Sequence, residues 1–319
     1  MQLIHLLKNI QPDDVESHGG KAINLVKLMH LGFRVPRGFS ISSNAFVQML
    51  NKNQDLTSLL KQANDSEDFE EILEISRKIQ EIINSFEMSQ DLILELKVNL
   101  SDLEKSEYGY AVRSSATIED RDDISFAGQA ESYLCVKELP DIVESVKKVW
   151  KSAFSERALI YLKTKGIPFT QVKMAVLVQE MVPAEISGVM FTANVVTNNP
   201  EEMLVNSTWG LGDTLVSGKI VPDTFVLTKN PLRVIQRNLG EKEATSESES
   251  ISIDTPQEKR ERFSLEEKTL FALAEVGMKI ESGMESPQDI EWCIRPDGIL
   301  TILQTRPITT LNLPSSDGA

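Results

Sequence analysis

Residues 288–307 read "QDIEWCIRPDGILTILQTRP": two β-favouring runs joined by Arg295-Pro296-Asp297-Gly298. Such a turn sequence between such runs predicts an antiparallel hairpin, and pairing of this kind fixes which side chains share a side. If Asp297 and Gly298 are the two central turn residues, Glu291 falls directly opposite Gln304. If the turn slips back by one residue at each end, Glu291 pairs with Ile302 and still shares a face with Gln304. Arg306 lies on that face as well. A carboxylate, an amide and a guanidinium therefore line one side of the hairpin. The pattern alone leaves two readings open: an exposed polar face with a neighbouring charge pair, or part of a binding site.

Upstream, helices and strands are mixed. Gly19 to Leu31 reads as a glycine turn followed by an amphipathic helix, "KAINLVKLMHL", stopped by Gly32. "RVPRGFSIS" reads as a strand. Residues from about 42 to 103 are helix-rich. There "SEDFEEILEISRKIQEIINSF" sets Phe69, Ile72, Ile75, Ile79 and Ile82/Ile83 on one stripe of a water-facing helical layer. "GYAVRSSATIEDRDDISFAGQAESYL", from Gly109 to Leu134, reads as strand–loop–strand. "LPDIVESVKKVWKSAFSERALIYLKTKG" reads as one long helix, capped by Asp141 and stopped by Gly166. "VKMAVLVQEMV" and "EISGVMFTAN" are buried strands, and "EMLVNSTWGLGDTLVSGKIVPDTFVLTK" alternates strands with a glycine-punctuated loop. Glu241 to Arg262 is polar and turn-rich, and is expected to be a mobile excursion. "SLEEKTLFALAEVGMKIESG" is a helix, and residues 312–319 form a tail or linker.

Bulk properties exclude several functions. With 319 residues the chain is long for one core and suggests two domains or two lobes. A formal charge of -15 argues against a nucleic-acid surface, which needs a basic face to displace counterions. It does not exclude a small anion held by a few converging cations and backbone N–H groups. Three histidines and no Cys/His cluster argue against zinc. No apolar run approaches the roughly 20 residues that span a bilayer. "MQLIHLLKNI" is no signal peptide, so Cys135 and Cys293 read as reduced core thiols of a cytoplasmic protein.

Three segments carry candidate chemistry. "HGGKAINL" places Lys21 after two glycines at a helix start, where N–H groups suit phosphate. It is not a Walker A loop, because the earlier glycine is missing and alanine follows the lysine. His18 reads as a solvated turn histidine. "WGLGDTLVSG" lacks the G-x-G-x-x-G spacing, and no helix is expected to follow at once, so it is not a dinucleotide fingerprint. In "AVRSSATIEDRDD" the Arg113 fork suits bidentate phosphate contact, and the serines can add hydroxyl donors. Glu119, Asp120, Asp122 and Asp123 hold a cation or are simply solvated; composition leaves both open. Taken together, Lys21, Arg113, the Gly128 turn, Glu291, Gln304 and Arg306 supply what a triphosphate–magnesium site requires.

"GGKAINL", "AVRSSATIEDRDDISFAGQAESYL", "VLVQEMV…SGVMFTAN", "NSTWGLGDTLVSGKIVPDTFVL" and "DIEWCI…ILQTRPITTL" occur in that order. They resemble the N-terminal nucleotide-binding domain of the dikinase family, whose members include phosphoenolpyruvate synthase, pyruvate phosphate dikinase and rifampicin phosphotransferase. The resemblance implies an α+β, ATP-grasp-like fold in two lobes, with ATP and Mg2+ in the cleft between them. It implies an N-terminal lobe over 1–185 with a helical insertion at about 42–105, and a C-terminal lobe with a metal-binding hairpin over 186–311. By the same resemblance Lys21 contacts the phosphates, Arg113 stabilises the phosphoryl groups in transfer, and Arg306 meets the phosphates. Gly128 and Gln129 close over them with Ser132 nearby. Gln179, Glu180, Met181 and Val182 meet the adenine, while Glu291 and Gln304 hold magnesium.

Family enzymes pass a phosphoryl group from ATP to a histidine on a separate domain, leave AMP, and then phosphorylate a small-molecule acceptor. The sequence carries no G-G-x-T-S-H-like phosphohistidine motif and no pyruvate barrel. The expectation is therefore the ATP-binding piece of a longer phosphotransferase, or a subunit that works with a histidine-bearing partner. A nucleotide-binding regulatory protein without turnover and an ATP-dependent ligase-like module are the alternatives. His18 and Leu162 depart from the family pattern.

Overall fold

A computed structural model describes residues 2–103, 107–117, 131–248 and 251–311. Gly128, Gln129 and the acidic run 119–123 lie outside the described residues. The chain divides into two compact units, one of Met1–Val26 with Arg37–Met181, the other of Lys27–Pro36 with Val182–Ala319. Helices and antiparallel sheets occupy both, which is the α+β class expected from the sequence.

The first unit holds strands β1 (Ile4–Leu6), β2 (Gly38–Ile41), β3 (Tyr110–Ala116), β4 (Ser132–Val136) and β5 (Met174–Glu180). They form one sheet in the order β1-β2-β5-β3-β4, antiparallel throughout. Alternation gives it two unlike faces. Phe39, Ile41, Tyr110, Val112, Ala116, Met174, Val176 and Val178 join the apolar core. That core is completed by helices α2 (Ser43–Lys52), α3 (Gln54–Asp65), α4 (Phe69–Ser85), α5 (Gln90–Asp102), α6 (Leu139–Ser152) and α7 (Glu156–Thr164). Ser40, Arg113, Ser115 and Gln179 alternate with those residues and belong to the other face.

Helix α1 (Val15–His30) is broken at Gly19, whose φ of 71° and ψ of 168° are not helical. Its far end closes in a Schellman arrangement, with Phe33 N–H donating to Leu28 O, Gly32 N–H to Met29 O, and Gly32 at φ 83°. The expected stripe on α4 holds for Ile72, Ile75, Ile79 and Ile83, but Phe69 is 51% exposed at the helix start. The single helix expected through Gly166 is two. Ser76 Oγ donates to the carbonyl of buried Phe154, Ser155 caps α7, and the first of the two helices starts after Glu138 rather than at Asp141.

His18 is buried, not solvated. It is 3% exposed, with Nδ1 3.0 Å from Ser40 Oγ and its ring edge-on to His5. With His5, Asp14 and the buried Ser42 hydroxyl it lines a cavity of about 300 Å³. Burial lowers its pKa from 6.5 to about 4, reinforced by His5 and opposed by Asp14.

The second unit holds β6 (Ile186–Phe191), β7 (Glu202–Trp209), helix α8 (Asp213–Val216), β8 (Asp223–Lys229), β9 (Leu232–Asn238), β10 (Ala244–Ser248), β11 (Ile251–Asp254), helices α9 (Gln257–Arg260) and α10 (Glu267–Met284), β12 (Gln288–Ile294) and β13 (Leu300–Pro307). Its main sheet runs β13-β12-β6-β7-β8-β9, and β10 pairs with β11. Gly277 of α10 lies against Met190 and Met203 so closely that a Cβ would meet Met190 Cε at 2.6 Å. One turn of helix, α8, does follow the "WGLG" glycines, contrary to expectation. Cys293 is fully buried in β12 and its thiol is pushed up to about 12 by burial; Cys135, at a bulge in β4, is only half-buried. No helix among the described residues is long and apolar enough to cross a membrane.

The polar excursion is anchored rather than loose. Lys242 is 0% exposed and donates from Nζ to Asp223 Oδ1 at 2.5 Å and to Gly240 O at 2.9 Å. Asp223 Oδ1 also accepts from Gly240 N–H, and Oδ2 accepts from the N–H and hydroxyl of Ser264. A buried pair with its hydrogen bonds filled holds both ends of residues 240–264 to the start of β8. Removing one partner strands the other charge, at a cost of about 3–5 kcal/mol. Lys242→Met should therefore lower unfolding stability by about that amount in denaturant titration; a loss under about 1 kcal/mol contradicts the anchoring.

His18 gives a pH-dependent counterpart. Its folded pKa lies below the unfolded value, so the unfolded chain binds the extra proton first as pH falls. Stability from this group is full above about 6.5 and lost as pH falls toward about 4. Denaturant midpoints at pH 7 and pH 4.5 should fall further apart in the wild type than in His18→Asn. Equal differences would remove His18 as the cause.

Candidate functional site

The first unit brings several of the expected residues to one face of its sheet. Arg113 sits mid-strand in β3, opposite Ser132 on β4 and Leu177 on β5. Gln179, two residues beyond Leu177 and 3% exposed, lies on the same side. Glu180 therefore points to the opposite side, where Arg37 holds it in a two-point ion pair at 2.7 and 3.1 Å. Met181 closes the strand by donating its N–H to Gly109 O, and Val182 follows in the connecting segment.

Lys21 lies in the first turn of the second helical segment of α1, just past the Gly19 break. That turn lies on the Arg113 face of the sheet. A Cβ on Gly19 would sit 2.1 Å from Ser115 O, and Ser115 Oγ donates to His18 O at 2.8 Å. The serines after Arg113 are thus not open to a ligand: the Ser114 hydroxyl, which has no partner among the described residues, alternates to the core side of the strand. Ser114 and Ser115 are 2% and 0% exposed, and the Ser115 hydroxyl is committed to the glycine turn.

In the second unit the closing hairpin pairs Glu291 with Gln304 and Asp289 with Arg306. The route differs from either turn expected. Ile294 faces Leu300, and Arg295 N–H donates to Ile299 O, which leaves Pro296, Asp297 and Gly298 as a three-residue loop. Gly298, at φ 77°, takes the left-handed position that such loops require. From that loop Glu291 would face Leu303, and Gln304 would turn to the other side. A register shift between Glu291 and Trp292 makes Leu303 an extra residue and brings Gln304 back opposite Glu291.

Asp289 was missed by sequence reasoning, although D-I-E spacing alone puts it on the face of Glu291. Arg306 Nε donates to Asp289 Oδ2 at 2.8 Å. Burial, and the Glu291 charge to a lesser degree, raise the Asp289 carboxyl above its ordinary pKa, while Arg306 pulls it back. Two carboxylates and an amide oxygen on one face suit a hard, oxygen-liganded cation such as Mg2+, which takes one or two carboxylates and completes its shell with water and phosphate. No group of three histidine, cysteine, aspartate or glutamate side chains converges on a metal position among the described residues.

The chain is similar to several known proteins. The "Probable phosphoenolpyruvate synthase" of Methanocaldococcus jannaschii is 33% identical over 98% of this chain and 27% of its own length. The "Rifampicin phosphotransferase" of Bacillus subtilis is 36% identical over 96% of this chain and 36% of its own. The "Probable phosphoenolpyruvate synthase" of Archaeoglobus fulgidus is 37% identical over 96% of this chain and 41% of its own. The chain thus spans less than half the length of each of these relatives. A solved D-alanyl-alanine synthetase A from Vibrio cholerae is 10% identical over 69% of this chain and 46% of its own, at a TM-score of 0.29, a likeness from which nothing is argued. A family model described as "Pyruvate phosphate dikinase, AMP/ATP-binding domain" matches residues 15–317, from the helix before the glycine turn to beyond the closing hairpin. The chain belongs to the pyruvate phosphate dikinase AMP/ATP-binding domain family.

Proposed function

We propose that this chain is the Mg-ATP-binding module of a dikinase-type phosphotransferase. Lys21 and Arg113 take the phosphates, and Glu291 and Gln304, with Asp289 beside them, take the magnesium ion that accompanies them. Arg306, already paired with Asp289, adds a further cation for the phosphates. Gln179 to Val182 meet the adenine, and Gly128, Gln129 and Ser132 cover the phosphates. The observation that carries the reading is the register of the second unit's hairpin, which sets a carboxylate directly opposite an amide oxygen on a face that also holds Asp289.

The chemistry is positioning and charge. The arginine fork and the lysine neutralise phosphate oxygens whose charge rises during transfer, and magnesium, which Glu291 and Gln304 would hold, would supply further charge stabilisation there. One phosphoryl group of ATP passes to a histidine on a separate domain or partner chain, the other phosphate is released to water as orthophosphate, AMP is left, and the histidine's phosphoryl group goes on to a small-molecule acceptor. Incubating the chain with labelled ATP, Mg2+ and a histidine-bearing domain taken from a relative tests this. Acid-labile, base-stable label should transfer to that domain, and Glu291→Ala should reduce the rate at least about 100-fold. No labelled histidine under any metal or nucleotide condition would contradict the transfer. Undiminished transfer by Glu291→Ala would remove the metal role from the hairpin.

A further inference from the structure

Ser115 lies two residues beyond Arg113, on the same side of β3, and is fully buried. Its hydroxyl touches both ends of the break in α1. It donates to His18 O at 2.8 Å and accepts from Ala22 N–H at 3.3 Å. Its own backbone is where Gly19 rests, with no room for a Cβ.

A helix that restarts after a break has N–H groups with no carbonyl four residues back. Normally the residue just before the helix caps one of them with its side chain. Here Gly19 and Gly20 have no side chain to offer, and the acceptor comes from a neighbouring strand. Capping from below leaves the turn bare of side chains ahead of Lys21, which suits an approaching anion. It also ties the backbone that carries one cation to the strand that carries the other.

We propose that Ser115 is a positioning residue for nucleotide binding: its hydroxyl fastens the Lys21 turn to the Arg113 strand and so fixes the spacing of the two cations. The inference rests on the reading of Lys21 and Arg113 as phosphate ligands. Two cations held at one spacing match a phosphate chain without ordering the turn on binding, whereas a loosened turn must be ordered each time.

A double-mutant cycle on the full chain tests it, with the dissociation constant of Mg-ATP measured by calorimetry. Ser115→Ala should weaken binding roughly 5- to 20-fold, the scale of one lost hydrogen bond to a positioned group. In the Lys21→Ala background the same change should weaken it by no more than about two-fold. Ser76→Ala is the control, since it removes a similar buried hydroxyl-to-carbonyl bond, to Phe154 O at 2.7 Å, on the helical side. It should lower Tm and leave ATP affinity unchanged. Wild-type affinity in Ser115→Ala, or fully additive effects with Lys21→Ala, would overturn the proposal alone. An unaffected Lys21→Ala would overturn the phosphate reading of Lys21 and this proposal with it. Should Ser115→Ala not fold, Ser115→Cys keeps the volume with a far weaker hydrogen-bonding group, and the same cycle decides.

Discussion

An antiparallel strand shows only alternate side chains to one side, and the candidate residues within each unit depend on that restriction. In the first unit it is obeyed without exception across β3 and β5. Val112, Val176 and Val178 go to the core, so Arg113, Ser115 and Gln179 are left for the other face. In the closing hairpin of the second unit it is broken by the extra residue Leu303. Without that bulge the turn geometry would put Gln304 and Arg306 on the wrong side of the sheet from Glu291 and Asp289. One inserted residue decides whether the polar set is assembled or split.

The first unit solves a related difficulty with close approach rather than with a bulge. A turn can carry a cation over a sheet only if something holds it there, and side chains at the turn would obstruct the anion. Gly19 removes the side chain and takes the left-handed φ of 71°. Ser115 supplies the hydrogen bonds that the glycines cannot. His18, just before the break, adds a buried contact to Ser40 on β2, so the turn is tied to two strands of the sheet.

Much of this was legible in the sequence, and the reasons for the rest are physical. Local signals held where they were strongly periodic or carried turn chemistry: the isoleucine stripe of α4, the Gly32 stop, and α10 between Glu267 and Met284. The Glu291–Gln304 pairing was also anticipated, but through a two-residue turn. The loop and the bulge compensate one another, and period-two reasoning cannot see a bulge. His18 and the polar segment that begins around Lys242 were misread because polar residues are assigned to water by default. Their burial depends on partners 22 and 19 positions away, Ser40 and Asp223. The break after Ser152 escaped notice because Phe154 is held by Ser76, 78 positions back. Ser115 was read as a ligand donor because nothing local shows that its hydroxyl is already taken.

In the proposed function the metal accompanying ATP belongs to the closing hairpin, and the phosphates belong to Lys21 and Arg113. The direct measurement is a crystal structure of the chain with an ATP analogue and Mn2+, located by its anomalous scattering. One or more manganese peaks are expected within about 2.5 Å of a Glu291 carboxylate oxygen and the Gln304 amide oxygen, with phosphate oxygens against Lys21 and Arg113. Manganese bound instead by the acidic run 119–123, with the hairpin carboxylates uninvolved, would contradict it.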